Sequence, residues 1–221
     1  MIGDEPTEFD EEAVRAIKVR IDDYVEEKDG LSQKPFEDGL RVIYGRATQY
    51  APLVIRAYEA RQVAPASGLY QAMVGSEYND CLISSKGSVG LFQFAPKTAA
   101  KYGLTPKDYC NLEKQSDAAA RYMSDLSSDF GNGKSSASLV LLGYVIGEGR
   151  LRDYLRQLHG RGVTERSFWT ILHYQQDLQP PLATDEKKYV PRFFAAAIIG
   201  ETPEVFELST PPLSTLREKS R

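Results

Sequence analysis

The chain has 221 residues, with 27 Lys and Arg against 31 Asp and Glu, two His, two Cys and one Trp. The Cys and His residues stand far apart, at Cys81, Cys110, His159 and His173, which argues against a metal site built from them; no basic excess or stripe marks a nucleic-acid binder. At 42% hydrophobic and 26% charged the composition is that of an ordinary globular protein, and apolar runs such as Phe193 to Ile199 fall far short of the roughly 20 residues of a membrane-spanning helix.

The periodicity reads as helical nearly throughout, so the expected fold class is all-α with at most a minor β element. The N-terminus, with Asp4, Glu5, Glu8, Asp10, Glu11 and Glu12, is acidic and does not read as a secretory leader. That leaves a cytosolic chain or one that has lost a targeting segment. Residues 11–29 carry Val14, Ile17, Ile21, Tyr24, Val25 and Lys28 at helical spacing, with Gly30 as a stop and charges of both signs on the other face. Lys34-Pro35 breaks the pattern. Residues 36–63 predict two short helices divided at Pro52, and 66–77 a further helix.

Residues 78–89 form a polar loop. Pro96 opens a short helix that ends by Gly103. Between 116 and 130, Ala119, Tyr122, Met123, Leu126 and Phe130 repeat on one face. Residues 137–146 are apolar on all sides, which places that helix at the centre of a bundle. Gly147 and Gly149 break it before a helix carrying Leu151, Tyr154, Leu155 and Leu158. Helices over 165–174 and 185–200, the latter with Pro191 inside, complete the set. His159 and His173 read as surface residues at helix ends. The tail, rich in proline and charge, is expected to fray from about residue 208. There is no internal repeat.

Four stretches carry a family pattern in one order: Gly75-Ser76; Gly90-Leu91-Phe92-Gln93-Phe94, preceded by Asn79 and Ser84; Tyr144-Val145-Ile146-Gly147-Glu148-Gly149-Arg150; and Asp185 to Pro191. Together they resemble the lytic transglycosylases with a soluble-lytic-transglycosylase (SLT, goose-lysozyme-like) domain, closest to the membrane-bound murein transglycosylase D type. The resemblance covers roughly residues 50–207. It implies a lysozyme-like helical domain over 50–207, an N-terminal helical extension over 1–49 and a tail over 208–221.

The resemblance also implies the site. Gln93 matches the glutamine lining the sugar cleft, and Ser84 the serine midway along the loop. Tyr144 and Tyr189 match tyrosines near the catalytic acid. Ser76, Tyr78 and Phe92 join them as expected substrate contacts. Each has a plainer alternative: Gln93 as a turn cap, Tyr144 as core, and Tyr78, Phe92 and Phe94 as loop packing. The catalytic position departs from the pattern. Counting fifteen back from Gly90 lands on Gly75, where the family has its essential glutamate, and Val145 stands where it has asparagine.

In the family's chemistry one carboxyl group protonates the glycosidic oxygen between N-acetylmuramic acid and N-acetylglucosamine. It then serves as base on the sugar's own 6-hydroxyl, giving a 1,6-anhydro product, so no second carboxylate is needed, unlike most glycosidases. The acid must stay protonated near neutral pH, which an apolar pocket achieves. Gly75 has no group to do this. Glu77 is the candidate substitute, if the turn shifts it into the site; otherwise it is a surface residue at a helix end. Glu148 reads as structural, at the helix break.

Two functions therefore stand: an SLT-type enzyme domain with impaired catalysis, or a module that holds peptidoglycan strands without cutting them. An inactive variant engineered from an active parent is a third. The resemblance implies no cofactor or metal, a peptidoglycan partner and a cell-envelope or periplasmic location. It also puts Cys81 and Cys110 on loops bordering one lobe, where a disulfide would suit an oxidising compartment.

Overall fold

The structure is a computed structural model that describes residues 9–26, 39–131 and 136–217; among these the regular elements are helices. Helix α1 (Glu11–Glu26) opens with Asp10 Oδ1 accepting from the backbone N–H of Ala13 at 2.7 Å. Its apolar stripe, Ala13, Ile17 and Tyr24, is buried, and the helix lies against α9 (Thr184–Glu201). The outer face carries the expected charges, with Lys18 paired to Asp22 and Arg20 to Asp23. The expected continuation to residue 29, the stop at Gly30 and the break at Lys34-Pro35 lie outside the described residues.

Helix α2 (Leu40–Glu59) corrects an expectation: it runs through Pro52 as one element of 20 residues. An internal proline removes one hydrogen bond and crowds the preceding turn, a cost of about 3 kcal/mol. Against it stands a continuous buried stripe of Ile43, Tyr44, Ala47, Ala51, Val54, Ile55 and Tyr58. Each large member gains roughly 1.5–3 kcal/mol by burial, so packing on both sides of Pro52 outweighs the local break. The same helix crosses the boundary expected at 49–50 without interruption.

Helix α3 (Pro65–Ser76) begins with proline in its first turn and ends at a left-handed Glu77. Two isolated antiparallel bridges, Ile83 with Val89 and Val89 with Phe94, are the minor β element. After α4 (Pro96–Lys101), helix α5 (Leu112–Phe130) starts four residues earlier than the expected 116, because Asn111 accepts from the N–H of Lys114 and caps it. Helix α6 (Ser136–Ile146) touches α5, α7 (Glu148–His159), α8 (Phe168–His173) and α9, which is the central place its all-round apolarity predicts.

The tail is also a correction. Leu208 and Leu213 are buried, the backbone N–H and hydroxyl of Ser214 donate to the Glu201 carboxylate, and Arg217 pairs with Glu59 at 2.8 Å. Two leucines in a stretch dominated by proline and charge anchor it through Arg217.

Candidate functional site: the groove around Gly75 and Gln93

Gly75 is the penultimate residue of α3. A Cβ built on it meets Gln93 Cγ at 3.4 Å, Gln93 Cβ at 3.6 Å and the Leu91 carbonyl at 3.7 Å. Position 75 therefore faces the Gly90–Phe94 turn across an ordinary van der Waals gap. Ser76 joins the two segments: its hydroxyl is buried, 2.8 Å from the Leu91 carbonyl and 3.0 Å from that of Ala72. Ser76, expected among the substrate contacts, thus latches α3 to the turn.

Glu77 and Tyr78 are both left-handed, with φ of 50° and 59°. The guanidinium of Arg46, on α2, donates two hydrogen bonds to the Glu77 carbonyl, at 3.0 and 2.9 Å. This pins the backbone of Glu77 to α2, whereas Gly75 faces Gln93. Tyr78 is fully buried. Its hydroxyl donates to the Leu69 carbonyl at 2.6 Å, its ring stacks on Tyr50, and burial, with the nearby Glu201 and Tyr24, raises its phenol well above the usual range. Tyr78, expected among the substrate contacts, has its ring in the core, because the left-handed turn directs it inward.

Ser84 and Ser88 close the tip of the loop. Ser84 N–H donates to the Ser88 carbonyl and Ser84 Oγ accepts from Ser88 N–H. Gln93 has a left-handed backbone, φ 49°, and its Nε2 donates to the carbonyls of Leu82 at 3.1 Å and Gly90 at 2.8 Å. The Phe92 ring is buried near Tyr58 and that of Phe94 is buried against Tyr144, so both rings pack inward. What Phe92 contributes is its carbonyl, which accepts from the Tyr144 hydroxyl at 2.9 Å.

Tyr144, on α6, is half-buried. Burial raises its phenol well above the ordinary value, with Tyr58, Tyr189 and Tyr122 adding to the effect. The half-buried Tyr189, on α9, is raised first by burial and then by Tyr24. Gly75 and Gln93 thus adjoin, Tyr144 bonds the carbonyl next to Gln93, and Tyr189 stands close enough to Tyr144 to act on its phenol, while Ser76, Tyr78 and the Phe92 ring are buried. Ion pairs join the surrounding elements: Lys86 with Asp185, Arg150 with Glu186, and Lys101 with Glu148. The last pairs Glu148, the first residue of α7, with Lys101 on α4.

One residue escaped sequence reasoning. Gln115 is 1% exposed; its Oε1 accepts from Leu91 N–H at 2.7 Å, and its Nε2 donates to the carbonyls of Asp80 and Tyr109. The signal was its place one turn before Ala119, a polar side chain in line with a buried stripe. Cys81 and Cys110 form a disulfide, with Cα atoms 4.6 Å apart. Among the described residues no group of three or more His, Cys, Asp or Glu is placed to hold a metal ion, and no helix is long and apolar enough to cross a membrane.

A family model, the transglycosylase SLT domain, matches residues 52–165. Among solved structures, the chain is similar to the lytic transglycosylase Slt of Pseudomonas aeruginosa, crystallised as an inactive glutamate-to-glutamine mutant. The TM-score is 0.54 at 20% identity, over 93% of this chain and 32% of that one. The chain therefore spans about a third of that protein's length, and the likeness establishes a shared fold. A search of curated proteins gives no match. With the family model matching just over half its length, the chain belongs to the transglycosylase SLT domain family.

Proposed function

We propose that this domain binds the glycan strands of peptidoglycan in the groove around Gln93, Tyr144 and Tyr189, and does so without the family's cleavage step. The observation that carries the reading is position 75. It ends a helix facing Gln93 at van der Waals distance, where a carboxyl would reach a bound strand, and it holds glycine. The family chemistry uses a single acid/base group, and losing a general acid or base costs on the order of 10²–10⁴ in rate. The related Slt structure is itself described as inactive after one glutamate-to-glutamine change. Glu77 is the other carboxyl at this end of α3: Arg46 holds its backbone carbonyl to α2 and its Oε2 is buried, so a Glu77→Gln variant assayed beside the parent tests whether it substitutes. The Cys81–Cys110 disulfide supports an oxidising compartment such as the cell envelope.

The test is digestion of purified peptidoglycan, with sedimentation to measure binding and product analysis for 1,6-anhydromuropeptides. The expected result is retention of the chain by the polymer with no anhydro product. Release of that product by the unmodified chain would sink the non-catalytic reading; failure to bind at all would sink the glycan reading.

A further inference from the structure

Behind the Gly90–Gln93 turn, a polar contact network centres on one buried amide. Gln115 lies in the first turn of α5 and uses both ends of its side chain on backbone groups. Oε1 takes Leu91 N–H, and Nε2 takes the carbonyls of Asp80 and Tyr109. The turn runs directly over this amide: a Cβ at Gly90 would lie 1.9 Å from Gln115 Oε1, and Gly90 is left-handed, φ 74°. Asp80 and Tyr109 immediately precede Cys81 and Cys110. The disulfide and the amide therefore hold the same seam, but only the amide reaches across it to Leu91. From Leu91 and Gly90 the connections pass to the groove: Ser76 Oγ bonds the Leu91 carbonyl, and Gln93 Nε2 bonds the Gly90 carbonyl.

We propose that Gln115 is a positioning residue of the glycan groove. It sets the Gly90–Gln93 turn against the end of α3 and so fixes Gln93 opposite position 75. This rests on the glycan-binding reading above. A glutamine that merely filled the core would stabilise the fold without acting through Gln93, and the two roles separate experimentally.

Gln115→Met keeps the length of the side chain and removes its hydrogen bonds; Gln115→Glu keeps the acceptor for Leu91 and loses both donors. In Gln115→Met the Leu91 amide loses exchange protection, the Gln93 side-chain amide resonance shifts, and affinity for soluble glycan strands prepared from peptidoglycan falls on the order of tenfold, the worth of a strong hydrogen bond. That loss vanishes when measured in a Gln93→Ala background, because both changes act through one group. In Gln115→Glu, Leu91 stays protected while the Gln93 resonance still shifts, which keeps the test available if Gln115→Met does not fold. An unmoved Gln93 resonance, or an affinity loss of equal size with and without Gln93, overturns the proposal. If the unmodified chain binds no glycan, the glycan reading fails, and amide exchange with the Gln93 resonance still decides whether Gln115 positions the turn.

Discussion

Gly75→Glu places a carboxyl group at the end of α3, and the structure sets what it should do. The added Cβ sits 3.4 Å from Gln93 Cγ and 3.7 Å from the Leu91 carbonyl, so nothing has to move to admit it. Gly75 lies within a right-handed helix, where alanine is favoured over glycine by up to about 1 kcal/mol. Gly75→Ala should therefore raise the melting temperature by up to roughly 2–4 °C for a chain of this size. Gly75→Glu shares part of that gain, offset by burying part of a carboxylate. For catalysis the expected recovery is on the order of 10²–10⁴ over the parent, equivalent to about 3–5 kcal/mol of barrier at 1.36 kcal/mol per tenfold. The assay is release of 1,6-anhydromuropeptides from purified sacculi by the parent, Gly75→Glu, Gly75→Gln and Gly75→Ala, read by chromatography and mass spectrometry. A Gly75→Glu protein that folds, binds strands and releases nothing refutes the view that only the acid is missing.

Reducing the Cys81–Cys110 disulfide, or replacing both residues with serine, opens a loop of 29 residues. It should lower stability by about 3–4 kcal/mol on the chain-entropy account; calorimetry with and without reductant measures this, and an unchanged melting temperature contradicts it. The glycines should divide sharply. Gly45→Ala, in the middle of α2 with nothing within 4 Å of the new Cβ, should stabilise by about 0.5–1 kcal/mol. Gly90→Ala meets both a left-handed backbone and the Gln115 amide, and should destabilise by at least about 2 kcal/mol; equal urea midpoints for the two variants would show the turn to be looser than drawn. Hydrogen bonds from Lys114 and from the side chain and N–H of Thr105 hold the Asp108 carboxyl well below the usual range. Its contribution is therefore complete above the unfolded value near pH 4 and is lost as pH falls towards the folded value. The stability gap between the parent and Asp108→Asn should shrink below pH 4, and a gap unchanged between pH 6 and pH 3 would exclude that role for Asp108.

The helical architecture was legible because its signals are periodic and local. The all-round apolar run at 137–146 announced the central helix, and the repeat from Ala119 to Phe130 announced α5. Pro52 misled because proline is a strong local signal, whereas the stripe from Ile43 to Tyr58 that overrides it acts only once α3 and α5 are in place. Leu208 and Leu213 were hidden in the same way, since two isolated leucines carry no period. At the site, the family resemblance pointed to Gly75 and Gln93 but not to the direction of side chains leaving a non-helical turn. Tyr78 and Phe92 look like sugar platforms in one dimension and turn inward in three. Gln115 showed only as a polar residue in line with a buried stripe; its partners, all backbone groups, have no sequence signature.

Three left-handed residues that are not glycine, Glu77, Tyr78 and Gln93, bracket position 75. Each such residue costs on the order of 1–2 kcal/mol, so this small region stores a few kcal/mol of conformational energy. Arg46, the buried Tyr78 hydroxyl and the two Gln93 side-chain bonds hold that energy in place. On the proposed glycan-binding function, a strand would meet a turn whose shape was settled during folding, leaving little ordering entropy to oppose binding. Such a site would act more as a mould than as a flexible grip, selecting by rejecting strands that do not fit rather than by closing on those that do.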